Sequence, residues 1–257
     1  SKAFRSLVSR CNDINQFVSF GNPSEKILLI GKEVSTDTTS SNKMEIQNTE
    51  SIKRNAAEWM DNIKINKTQT DIKDWIYDEN LPLSKLDNNP LYPWKGGHVK
   101  STTNTWKNYQ KLYDLIFEKG IITENARPIT FLKDFFLTEM NQIASRTTEA
   151  AQKNAGFHEN LEYRKNEVIS SEYFTNFPVI ILACSNYIWN IENDWQISNI
   201  FNVDFEKEYR ISKQNRFYTH FNQSRTRLVI HTRQLSMAVK NELLIEMASI
   251  IKSHLHQ

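Results

Sequence analysis

The sequence predicts an α/β fold: a three-layer α/β/α sandwich around a central, mainly parallel sheet of four strands, in a single domain over residues 1–257. Three observations predict it. Four short runs are apolar at nearly every position, as strands buried on both faces are. Amphipathic helical stripes lie between those runs, the alternation that builds parallel sheets. Only six glycines and six prolines occur, too few for a fold built from many tight turns.

The strand runs are 27–30, 129–140 (with polar interruptions), 179–184 and 228–230. Helical spacing sets Ile52, Ala56, Trp59, Met60 and Ile63 on one stripe of 50–63. It does the same for Trp106, Tyr109, Leu112, Tyr113 and Ile116 in 105–119, with Gly120 as the stop. The last helix is read over 237–255, with Ser236 as its N-cap. Two helical insertions, near 36–120 and 147–176, account for the uneven spacing of the strands.

Hydrophobic content of 39% and charged content of 24% fit an ordinary folded domain. A net charge of +2 excludes the global basicity of an architectural DNA binder, so any nucleic-acid contact must be local. The cysteines Cys11 and Cys184 are far apart, and neither a disulfide framework nor zinc spacing is read. With no bilayer-length apolar run and no signal peptide read, the sequence predicts a cytoplasmic protein without membrane contact. His98, His158, His254 and His256 lack metal-ligand spacing, and no metal is expected.

In open parallel sheets, ligands bind beyond the carboxyl ends of the strands. Those ends carry Gly31-Lys32-Glu33-Val34-Ser35, then Thr138-Glu139-Met140-Asn141, then Ser185-Asn186, then His231-Thr232-Arg233-Gln234-Leu235-Ser236. Glu33 follows a glycine that permits close backbone approach, and a carboxylate there can orient water or stabilise a cation. Arg233, Leu235 and a helix start at Ser236 offer a phosphate contact, a wedge between bases and an anion site. Arg210, Lys213, Arg216, Arg225 and Arg227 extend Arg233 into a phosphate track. Tyr92 and Trp94, among glycines and lysines, suit base stacking.

Three of these pieces together resemble the uracil-DNA glycosylase superfamily, over roughly residues 27–255. Gly31-Lys32-Glu33-Val34-Ser35 stands where that family has Gly-Gln-Asp-Pro-Tyr or Gly-Glu-x-Pro-Gly. His231-Thr232-Arg233-Gln234-Leu235-Ser236 is similar to its His-Pro-Ser loop in the His, Leu and Ser. Thr105-Trp106-Lys107-Asn108-Tyr109-Gln110-Lys111 resembles its helix start before the second strand.

The resemblance implies a monofunctional DNA N-glycosylase that acts as a monomer without a cofactor. In that reading Glu33 stabilises the sugar cation or positions water, and His231 hydrogen-bonds the departing base. Gly31, Ser35, either Trp94 or Tyr92, and either Glu139 or Asn141 surround the base. Leu235 fills the gap left by the flipped nucleotide, and Arg233, Ser236, Lys32 and Arg227 meet the DNA. The sequence departs from the family where Val34 and Thr232 replace both loop prolines and Ser35 replaces the methyl-excluding Tyr. The expected substrate is therefore a larger or amino-bearing base in double-stranded or single-stranded DNA. A modified cytosine of phage DNA is one such base, and its removal would be an antiviral defence. The alternative is a catalytically inactive, glycosylase-like DNA-binding module.

Overall fold

A computed structural model describes residues 1–33, 54–61, 63, 102–117, 129–143, 145 and 147–256. Helix α1 (Lys2–Asp13) begins where the Ser1 hydroxyl accepts from the Phe4 amide, and it buries Phe4, Leu7, Val8 and Cys11. Strands β1 (Phe20–Gly21) and β2 (Ile27–Gly31) follow. Residues 54–61 form helix α2, and α3 (Asn104–Phe117) buries the predicted stripe of Trp106, Tyr109, Leu112, Tyr113 and Ile116. The second predicted run divides into a 3₁₀ turn (Phe131–Lys133) and strand β3 (Phe135–Glu139).

The predicted helical stretch after β3 is broken into α4 (Thr148–Gln152), α5 (Phe157–Tyr163), a π-helical turn (Arg164–Ile169) and α6 (Glu172–Thr175). Then come β4 (Val179–Leu182), the hairpin β5 (Asn190–Ile191) and β6 (Asp194–Trp195), and α7 (Gln196–Phe201). The chain finishes with β7 (Asp204–Arg210), β8 (Arg216–Phe221), β9 (Leu228–Thr232) and α8 (Asn241–Leu255).

The sheet has seven strands rather than four, in the order β1-β3-β2-β4-β9-β8-β7. The four predicted runs are its parallel centre, paired Ile27 with Phe135, Ile27 with Val179, and Val179 with Leu228. β1 adds antiparallel to β3, and β8 and β7 extend the other side antiparallel. Leu28, Ile30, Ile180, Leu182 and Val229 face one core, shared with α1, α2 and α6. Ile27, Leu29, Val179, Ile181, Leu228 and Ile230 face a second core under α3 and α8. Apolar residues on both faces of each central strand are what this double covering requires.

The last helix starts at Asn241 with Lys240 as its cap, so Ser236 is not the N-cap that sequence spacing predicts. Among the described residues no helix is long and apolar enough to cross a membrane.

Candidate active site

The carboxyl ends of β2, β3 and β9 meet around a small pocket of about 40 Å³. Lys32, Glu33, Glu139 and Gln234 supply its polar lining, and Thr103 and Thr105 lie at the start of α3. Trp106, Tyr109, Phe20 and Leu137 form its apolar wall. Such a volume admits roughly three waters.

Gly31 makes the approach of β3 possible. It pairs with Glu139, and a Cβ there would fall 2.1 Å from Glu139 Oε2. The Glu139 main chain is fixed from the opposite side. Arg164, fully buried on the π-helical turn, donates from Nε (3.0 Å) and Nη2 (2.8 Å) to the Glu139 carbonyl. Its Nη1 donates to the Phe17 carbonyl at 2.9 Å and to Gln16 Oε1 at 3.1 Å. Burial lowers the Arg164 pKa to about 10, so the guanidinium remains a cation at neutral pH.

Glu33 is buried and held at both oxygens. Tyr187 donates to Oε2 at 2.5 Å, and Thr148, on α4, donates to Oε1 at 3.1 Å. Burial first, then the Glu33 carboxylate, raise the Tyr187 pKa, which keeps its hydroxyl a donor. Lys32 Nζ lies 3.5 Å from Thr148 Oγ1 and 4.8 Å over the Tyr187 ring. The Tyr109 hydroxyl is also shifted upward, by burial and then by Glu139.

Protein-family models, curated proteins and solved structures were compared with the chain, and none matches.

The remaining predicted site residues separate into groups. His231 lies on β9, one residue before its end, with its Nε2 2.7 Å from the Ser185 carbonyl. A carbonyl only accepts, so the ring proton sits on Nε2 and is directed at the main chain. Burial lowers the His231 pKa, and the ring stacks on Tyr218 at 5.9 Å. The described pocket lining reaches this loop at Gln234, not at His231.

Leu235 is fully buried in the core beneath α3 and α8, which corrects its reading as an exposed wedge. Asn108 holds that turn by donating to the Leu235 and Ser236 carbonyls at 3.3 and 2.7 Å. The Asn141 amide is turned to the main chain: Nδ2 donates to the Phe157 carbonyl, and Oδ1 accepts from the Ile143 amide. Of the two residues proposed to read the base, Glu139 is therefore the one at the pocket.

The basic cluster is split by the sheet. Arg225 and Arg227 precede β9, at its amino end, and Arg227 donates to the Phe201 carbonyl. Arg210, Arg216 and Arg233 lie at the other edge, since Phe217 pairs with Thr232 and Arg210 with Arg216. There Arg210 and Arg216 both pair with Glu208, and Arg233 donates to the Gln214 and Met237 carbonyls. Ser35, Tyr92 and Trp94 lie outside the described residues.

Sequence reading missed Tyr187, Thr148 and Arg164 as site supports, and saw Trp106 and Tyr109 as a helix stripe and a family-like helix start, not as pocket wall. A charged pair, Arg164-Lys165, in a helical stretch carried no sign of burial, yet both side chains are buried. Among the described residues no group of three or more His, Cys, Asp or Glu is arranged to hold a metal.

Proposed function

We propose that the carboxyl-edge pocket hydrolyses the N-glycosidic bond of a flipped nucleotide in DNA, releasing an amino-bearing or otherwise modified base. One observation carries this reading: Glu33 and Glu139 line one pocket against the aromatic wall of Trp106 and Tyr109. Glycosidic cleavage passes through an oxocarbenium-like sugar, and a fixed carboxylate stabilises that charge without reorganising. Glu33 suits this role, because Tyr187 and Thr148 hold it in place. The pocket admits a few waters and not a whole nucleotide, so in this reading a water lies inside it beside Glu33 and the base and sugar sit at its mouth. Glu139 then accepts from an exocyclic amine of the base, and the aromatic wall packs against the flipped nucleotide. Arg233, Arg216 and Arg210 are on the same sheet edge and supply phosphate contacts. In this reading the chain works as a cytoplasmic monomer, with its helices and sheet in three layers.

The second reading is a glycosylase-like module that binds DNA without cutting the glycosidic bond. Two observations favour it: the His231 N–H is turned to Ser185, and Leu235 belongs to the core. Glu33→Gln separates the two. A glycosylase loses abasic-site formation in this variant while DNA affinity stays within a few-fold. A binding module forms no abasic sites in either version, and that result excludes the first reading.

A further inference from the structure

Lys32 has no part in the hydrolysis described above, yet it is 8% exposed and lines the same pocket as Glu33 and Glu139. The described contacts of its Nζ are a hydroxyl, Thr148 Oγ1 at 3.5 Å, and the face of the Tyr187 ring at 4.8 Å. Among the described residues it forms no ion pair with a carboxylate. Burial makes a lysine give up its proton more readily than one at the surface, and the free amine attacks carbonyl carbon.

We propose that Lys32 is the nucleophile of a second activity, strand cleavage at abasic sites through an imine with the sugar aldehyde. The proposal rests on reading the pocket as a deoxyribose site. The ring-opened abasic sugar carries an aldehyde at C1′. The Lys32 amine adds to that carbon, and water leaves as the C=N bond forms. A pocket carboxylate then takes the C2′ proton. The electron pair of the C2′–H bond forms the C2′=C3′ double bond, and the C3′–O bond breaks with its pair leaving on the phosphate. Water hydrolyses the imine and returns the amine. No oxidant or reductant takes part.

Burial lowers the Lys32 pKa, with Arg233 adding to that shift and Glu33 and Cys184 opposing it.

The test uses the full chain and a duplex already containing one abasic site, so no base needs to be excised. Sodium cyanoborohydride reduces the imine to a stable protein–DNA adduct, and peptide mapping locates it. The expected results are an adduct on Lys32 and, without the reductant, a cut on the 3′ side of the abasic site. Lys32→Arg keeps a cation but cannot form the imine, so adduct and cut are both lost while the melting temperature is retained. Absence of an adduct, an adduct on another lysine, or equal cutting by Lys32→Arg overturns the proposal. The mapping uses the unsubstituted protein and does not depend on the folding of the variant. Cutting of ready-made abasic DNA without release of any base would overturn the glycosylase reading and leave this one standing. Base release without an adduct would do the reverse.

Discussion

Replacing Gly31 by alanine perturbs the contact that seats Glu139 against β2. The added Cβ would stand 2.1 Å from Glu139 Oε2 and 3.0 Å from its Cδ. The carboxylate must retreat by roughly 1.3 Å to restore ordinary contact. The obstructing atom ends a flexible side chain, so the fold survives. A displaced rotamer costs about 0.5–1.5 kcal/mol, and alanine returns about 0.4–1 kcal/mol by restricting the unfolded chain. Net stability should therefore change by less than about 1 kcal/mol, whereas an ångström of misplacement in a reacting group costs on the order of 100-fold in rate. Single-turnover base release measures the rate, and urea unfolding measures the stability. In the double variant with Glu139→Ala the clash has no partner, so the double variant should be no slower than Glu139→Ala alone. Unchanged release by Gly31→Ala, or a loss of about 3 kcal/mol in stability, would refute the reasoning.

Other perturbations probe separate parts of the account. Leu235→Ala should cost about 2–5 kcal/mol, read by urea unfolding, with DNA affinity unchanged, because this leucine is core and not wedge. Arg164→Leu removes a buried cation and leaves the Glu139 and Phe17 carbonyls short of donors, so a loss of about 3–5 kcal/mol is expected in the same assay. Burial lowers the His220 pKa from 6.5 to about 4. Below about pH 6.5 the unfolded chain takes up this proton first, so stability declines as pH falls from 6.5 towards 4, by roughly 3 kcal/mol. His231 and His254 are shifted the same way. His220→Phe should flatten the decline, and stability that rises on acidification would contradict it.

The parallel centre of the sheet was legible because its strands are buried on both faces and carry almost nothing polar. The additions were not. β7 reads Asp-Phe-Glu-Lys-Glu-Tyr-Arg, an edge strand with its side chains largely exposed, so no apolar pattern marks it. β1 is two residues long and exists only through its pairing with β3. At the site, Glu33 and Glu139 were legible because each lies at the end of a strand run. Their supports were not, since Tyr187, Thr148 and Arg164 approach from 25 to 154 residues away in sequence, and nothing local marks such contacts. Leu235 and Ser236 misled for the opposite reason. Motif position suggested a wedge and a cap, but a turn held by Asn108 carries the leucine inward and delays the helix to Asn241.

The central claim is that Glu33 drives release of a free base from DNA. Mass spectrometry of bases released from duplex and single-stranded DNA, containing uracil, cytosine or modified cytosine, measures this directly. The account predicts release of a modified, amino-bearing base in preference to uracil, and its loss in Glu33→Gln. Efficient release of uracil with none of modified cytosine, or equal release by Glu33→Gln, would contradict it.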